Sequence, residues 1–457
     1  LIIEELTNNP DIDGQICKQF IAEARCLRVM VYSWMVRRWG GVMLVDKLMT
    51  PSDEMLMSRS TEEEMYRFMV NELKLAISDL PSTANKERFT KGAALTLLTR
   101  VSLEGGLYDE TIAAGKQLFE GEEAANWSID PEYRKMFGSS YPETSPEIQF
   151  YFTQGDKKQY CENLLPMYVA GTLAPGRNIM GPAFNDKVDA WCANWPSHEL
   201  TEAYLAIDVE GDQTAKHYTE TAKWKNAPVK TASIMYSNRD KRLDATICYD
   251  GTTYFTSPIE MDTKGNCYWE NTQNHGFMTQ SGYMWRKYIY ELDGTDALPG
   301  YQILYDFRYI LFRLGEACLN YAEALGRKGE IDKAIRMMNM TRTQHGGLPA
   351  LPESSSEADF WKYYKIERRV ELALEGDRYF SVIRWAKVEN ATSVSEFNKR
   401  THCIIIDGDD DTFTLIDTSH GSSTGSDRVF SWPRRMYFPL PESELMSNPN
   451  LQQNNHW

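Results

Sequence analysis

Residues 310–338 read ILFRLGEACLNYAEALGRKGEIDKAIRMM. Apolar side chains at Ile310, Leu314, Ala317, Tyr321, Ala324 and Leu325 recur three or four residues apart, the spacing of one helical face. Arg327-Lys328-Gly329-Glu330 breaks the pattern, and Ile331, Ala334, Ile335 and Met338 restart it. This spacing predicts two antiparallel helices, with Ala322, Ala324 and Ala334 around Gly329 small enough for close approach. Ala93–Phe119, with a turn at Gly105-Gly106 followed by Tyr108, reads as a looser copy. Upstream, Thr61 or Ser60 before three glutamates caps a helix with Met65, Met69, Leu73, Ala76 and Leu80 inward, ended by Pro81. Gln19–Trp39 places Phe20, Ala24, Leu27, Val31 and Trp34 on one face, expected to pack inward, before Gly40-Gly41 stops it.

The helix pair resembles a tetratricopeptide unit. The expected fold is therefore mainly α: a tetratricopeptide-like helical-pair scaffold with a long irregular lobe and minor β-hairpins. One unit spans 1–457, comprising a helical scaffold at 1–125, an irregular, ligand-facing lobe at 126–304, the pair and a following helix at 305–390, and a hairpin, loop and terminal motif at 391–457. The lobe mixes Pro, Gly, Asn and aromatics with short alternating runs such as Leu243–Tyr249. The hairpin is read from Ile404-Ile405-Ile406, the acidic turn Asp407–Asp411, and Phe413 and Leu415, and a Gly/Ser loop follows.

A net charge of -16 argues against a nucleic-acid or anionic-lipid partner, since phosphate neutralisation needs clustered Lys and Arg. The eight cysteines, among them Cys161, are scattered without Cys-x-x-Cys spacing, so neither a zinc site nor a disulfide scaffold is expected. Apolar runs are broken by charge well before the roughly 20 residues a membrane helix needs. No basic-then-apolar leader follows Leu1, and any export signal is expected upstream.

The segment Glu367-Arg368-Arg369-Val370-Glu371-Leu372-Ala373-Leu374-Glu375-Gly376-Asp377-Arg378-Tyr379-Phe380, closed by Arg384-Trp385, resembles the signature helix of the SusD/RagB family, with Ser381 where the family usually has an acidic residue. Tyr437-Phe438-Pro439-Leu440-Pro441, Glu444, Asn448-Pro449 and Gln453-Asn454 are similar to its terminal motif. The resemblance implies a surface-exposed lipoprotein of the outer membrane, anchored by an N-terminal lipid outside this numbering. Such a protein sits over a SusC-like TonB-dependent transporter and hands it oligosaccharides or, in some members, peptides. It implies no cofactor and no cleavage of the ligand. Peptide uptake and an α-helical glycoside hydrolase remain the alternatives.

Glu367, Glu371 and Glu375, spaced four apart, are the carboxylates such a hydrolase would use. The arginines Arg368, Arg369, Arg378 and Arg384 nearby in sequence predict an ion network in their place. Asp407, Asp409 and Asp411 alternate as in a calcium loop, but Thr412 replaces the required Gly and Thr418 the closing Glu, so a solvated turn is expected and no metal. The seven histidines are isolated in sequence and receive no role. Trp34, Tyr321, Tyr364 and Trp385 lie on periodic helices and are expected in the core.

Aromatics in the irregular lobe are the candidate platforms for a sugar ring, because loops carry binding residues and apolar C–H faces stack on flat rings. Trp269 is the first choice, with Tyr268 and Tyr254 beside it, Asn266, Asn271 or Asn274 as hydrogen-bonding partners, and Trp195 from the excursion containing Trp191. Anchoring of long loops is the competing role for these rings.

Overall fold

The computed structural model describes residues 1–7, 11–138, 140–154, 192–254, 257–271, 279–289, 291, 307–417 and 429–457. Cys161, Trp191, Asn274 and the Gly/Ser loop after the hairpin lie outside them. Helices dominate, and the strands pair only two at a time. None of the described helices is long and apolar enough to cross a membrane. Cys17, Cys26, Cys192, Cys248, Cys318 and Cys403 are free thiols, and all are buried.

Helix α1 (Gly14–Trp39) is capped by Asp13, which accepts from the amides of Gln15 and Ile16. Helix α2 (Glu62–Ile77) begins with a complete capping box, Thr61 taking the Glu64 amide and Glu64 the Thr61 amide. Helices α3 (Lys91–Glu104) and α4 (Tyr108–Phe119) form one hairpin, and α5 (Leu314–Arg327) and α6 (Ile331–Gln344) the second. The two pack together, as the repeat pattern predicts. Helices α7 (Glu357–Glu371) and α8 (Arg378–Val388) complete the scaffold.

The structure corrects three details. Ile310 belongs not to a helix but to strand β2 (Phe307–Arg313), antiparallel to β1 (Ile148–Gln154) with Tyr151 opposite Ile310. Aromatic and branched residues there favour an extended chain, which turns helical only at Leu314. In the run Leu243–Tyr249, Asp240 caps a short helix, Lys241–Thr246, and only Ile247–Cys248 is a strand, paired with Met284–Trp285. The face of α1 read as inward is outward: Phe20, Leu27, Val31 and Trp34 are 37–47% exposed, while Ala22, Cys26, Val29 and Val36 are buried. Both stripes have helical spacing, and spacing alone does not choose between two apolar faces.

Strands β3 (Cys403–Ile406) and β4 (Phe413–Ile416) form the expected hairpin, with Phe413 opposite Ile406. Its acidic turn is held by its own carboxylates: Asp407 accepts the Asp409 amide, Asp410 that of Thr412, and Asp411 that of Ser233.

Helix α7 is the seam of the molecule. Phe360 and Tyr364 sit in the α5–α8 core, whereas Val370 packs with Tyr204, Leu243 and Tyr283 of the irregular part and with Ile404 of β3. Between these apolar contacts lies a buried ionic network. Arg242 donates to Glu367 (2.9 Å), Glu371 (2.7 Å) and Asp240 (2.7 Å). Arg313 donates to Glu147 (2.9 Å), Glu371 (2.5 Å) and Glu375 (2.8 Å), and Lys287 reaches Glu375 at 2.7 Å. His345 bridges Glu147 (3.0 Å) and Glu371 (2.9 Å).

The partners of Glu367, Glu371 and Glu375 are thus remote in sequence, not the nearby arginines. Those turn elsewhere: Arg368 is bidentate with Asp377, Arg384 binds Glu323, and Arg378 pairs with Glu396. Ser381 accepts from Arg368 at 2.8 Å and donates to Asp377 at 2.6 Å, so Asp377 supplies the carboxylate that position 381 lacks. Burial opposes the charge on Glu371, but His345 and Arg313 outweigh it and hold its carboxyl well below the usual range. Burial likewise opposes charge on His345, and Glu371 and Glu147 overcome it, pushing its pKa up to about 9. Its role as a buried cation was invisible to a search for histidine pairs.

Three outcomes follow from this packing. A Cβ at Gly115 would lie 2.4 Å from the Tyr321 ring, so Gly115→Ala should destabilise by about 1–3 kcal/mol, read as a lower urea midpoint. Glu371→Gln, which leaves Arg313 and His345 short of a counter-charge, should lose about 3–5 kcal/mol. His345 is raised from 6.5 in the unfolded chain to about 9, so its contribution is complete below pH 6.5 and lost as pH rises through about 9. The stability margin of the wild type over His345→Gln should therefore shrink across that window; Lys287, pulled down to about 8 by burial, acts in the opposite sense but is present in both chains.

Candidate functional site

Two places merit attention: the aromatic turn expected from sequence, and a cleft that sequence spacing assigned to the core. Tyr268, Trp269 and Asn271 are brought together on one short turn, Trp269–Asn271 being a single 3-10 helix. Tyr268 and Trp269 are half-buried and Asn271 is exposed. The turn is fixed from below. Asn271 donates both amide hydrogens to backbone carbonyls, of Thr263 (3.1 Å) and Gly265 (3.0 Å). Asn266 accepts the Glu260 amide at 3.0 Å and donates to Pro258 at 3.1 Å.

These asparagines therefore pin the loop, and the donors of Asn271 are committed to it rather than offered to a ligand. Tyr254 is also not a platform: it is fully buried, packed with Cys248, Ile259, Met261, Cys267, Met284 and Trp285. A ring with no exposed face cannot stack on a sugar. It belongs to the apolar cluster that also holds Cys267, the residue immediately before Tyr268. Trp195 is half-buried on a segment tied to the Tyr254 cluster, since neighbouring Asn194 accepts the Trp285 indole N–H at 3.2 Å.

The second place is a cleft of about 330 Å³ between α1, β2 and the turn that joins α7 to α8. Trp34 and Arg38 line it from α1, one helical turn apart and hence on one face. Tyr309 lines it from β2 and Gly376 from the turn; at Gly376, with φ +76°, a Cβ would meet nothing within 4 Å. Trp34, expected in the core, is 37% exposed here. The missed signal lay in the Trp34–Arg38 pairing: a cation one turn from an indole on a helix with two apolar faces marks the face that meets water.

The three glutamates spaced like those of a hydrolase are tied up by cations. Glu367, Glu371 and Glu375 are buried or nearly so and fully engaged in the seam. Glu147, His345 and Glu371 come close enough to hold a metal ion, but Arg313 already bridges the two carboxylates, and both ring nitrogens of His345 face them. A divalent cation there would add charge beside a guanidinium and an imidazolium, and the donor set does not suit it.

Residues 166–457 match the sequence model of the SusD family, and residues 1–103 match one described as starch-binding associating with outer membrane. A SusD-like protein of Bacteroides ovatus is 23% identical over 460 residues, covering 95% of this chain and 73% of its own. One from Formosa agariphila is 20% identical over 405 residues, covering 85% and 69%. Among solved structures, a SusD-like protein of Bacteroides fragilis superposes with a TM-score of 0.78 at 24% identity, covering all of this chain and 83% of its own. A laminarin-binding SusD-like protein gives a TM-score of 0.67 at 20% identity, covering 100% and 82%. With the family model spanning more than half of its length, the chain belongs to the SusD family.

Proposed function

We propose that this protein binds glycans at the outer membrane without cleaving them, and delivers oligosaccharides to a SusC-like TonB-dependent transporter. Family membership supports carbohydrate binding and association with the outer membrane, and the laminarin-binding relative has the same fold. Attachment to the cell surface by a lipid is part of the same reading.

The observation that carries binding over catalysis is the engagement of the α7 carboxylates. A glycosidase needs one carboxyl that keeps its proton near neutrality and a second free to attack or activate water. Glu371, held well below the usual carboxylate range by His345 and Arg313 against the effect of burial, is unfit for the first role. Glu367 and Glu375, in charge-assisted hydrogen bonds to Arg242, Arg313 and Lys287, are positioned for neither. Tyr268 and Trp269, half-buried on a turn tethered by Asn271, supply what binding needs: ring surface for the C–H face of a sugar.

Calorimetry or affinity electrophoresis against starch, laminarin and other neutral glycans should find at least one ligand, with no reducing ends released. Trp269→Ala should weaken that ligand by about 1–2 kcal/mol while the fold is kept. Failure of every glycan to bind, with peptides retained, would reject the sugar reading in favour of peptide uptake. Mild-detergent extraction of native outer membranes should bring a large β-barrel with the protein; its reproducible isolation alone would remove the transporter from the scheme.

A further inference from the structure

The cleft beside α1 is lined by four cations, Arg37, Arg38, Arg100 and Arg313, and three carboxylates, Glu316, Glu375 and Asp377. Every carboxylate is already matched. Glu316 accepts from Arg100 at 2.6 Å, Glu375 from Arg313 at 2.8 Å, and Asp377 is bidentate with Arg368. Arg37 turns to Glu104 at 2.9 Å.

Arg38 alone of the four has no carboxylate within ion-pair distance among the described residues. Its side-chain hydrogen bond there goes to the carbonyl of Trp34, at 3.0 Å. Its guanidinium lies 5.6 Å from the centroid of Phe380, a ring that already carries Arg37 at 4.0 Å. A half-buried cation beside a like charge gains from an incoming anion, and burial together with the Arg37 charge, by lowering the Arg38 pKa, reports that demand.

The surroundings narrow the ligand. Trp34 offers an exposed indole face one turn from Arg38, and Tyr309 a half-buried phenol across the cleft. A volume of about 330 Å³ is at the small end of ligand pockets, room for one or two sugar rings. One unmatched cation on a chain of net charge -16 suits a single acidic group and not a dense polyanion, which needs several.

We propose that the Trp34–Arg38–Tyr309 cleft is a subsite for an acidic sugar residue, its ring face on Trp34 and its carboxylate or sulfate on Arg38. This rests on the glycan-binding reading and adds to it a charge preference and a second place of contact, remote in sequence from the Trp269 turn. The acid group forms a charge-assisted pair with a planar fork of donors that the protein's own carboxylates leave open.

The test is calorimetry of the full chain with three oligosaccharides of matched length: a neutral glucan, an oligogalacturonide and a sulfated galactan fragment. At least one acidic probe should bind more tightly than the neutral one, and its affinity should fall as sodium chloride is raised. Arg38→Gln should weaken the acidic probe about tenfold and leave the neutral one within about twofold, with Arg38→Lys intermediate and the melting temperature unchanged. Trp34→Ala should weaken the acidic probe without removing its salt dependence. Whichever of uronate and sulfate loses more on Arg38→Gln identifies the group. Equal binding of acidic and neutral probes, or acidic binding indifferent to Arg38→Gln, overturns the inference; neutral glycan binding sensitive to Trp269→Ala would then still stand. Binding of no oligosaccharide at all rejects both readings. A response to Arg38→Gln only for peptides with a free carboxylate rejects the sugar assignment of the cleft.

Discussion

A carboxylate taken out of water costs several kcal/mol unless cations and donors replace its hydration. Glu371, with no exposed surface, meets that demand by drawing Arg313, His345 and Arg242 onto its two oxygens. These come from the end of a strand, the end of the second hairpin and a short helix of the irregular part. Each cation then calls for its own second carboxylate, Glu147 or Glu375 for Arg313, Glu147 for His345, Asp240 and Glu367 for Arg242. One buried charge thus fixes the mutual placement of α6, α7, β1, β2 and the Lys241–Thr246 helix. The apolar contacts of Phe360 and Val370 on opposite sides of α7 close the seam around it.

Much of the scaffold was legible because helix signals are local. Thr61 with Glu64, and the spacing through Ala317, Tyr321 and Ala334, act within a turn or two and survive in three dimensions. What failed was whatever depended on partners far along the chain. The glutamates of α7 were recognised as ion-paired, but neighbouring arginines stood in for Arg242 and Arg313, which lie 125 and 58 residues away from Glu367 and Glu371. His345 looked isolated because both of its carboxylates are remote. Ile310 fits a helical stripe and an extended strand equally well, and only its pairing with Tyr151 decides.

The site was legible in type more than in detail. The turn carrying Tyr268 and Trp269 exists as a unit, yet Tyr254 is buried in a core cluster and Asn271 is the turn's tether. Polar and aromatic residues in a long loop serve the loop first, since its backbone carbonyls need donors and its base needs an apolar anchor. The Trp34 cleft was overlooked for the complementary reason: its residues sit on regular elements, where a periodic stripe is read as core. Rigid elements hold side chains more accurately than loops do, so the two places differ in how much ordering a ligand must bring about.

The dispersed origin of the seam bears on modularity. Because Glu371 on one side and Arg242 on the other are each buried and mutually neutralising, the irregular part and the scaffold do not constitute exchangeable cassettes. A chimera that imports a relative's irregular part must import with it a guanidinium at the position of Arg242, whatever glycan that part recognises. Divergence in this protein is accordingly channelled: loops such as Tyr268–Asn271 are free to drift between ligands, whereas the short helix Lys241–Thr246 is tied to α7 by charge and can change only in concert with it.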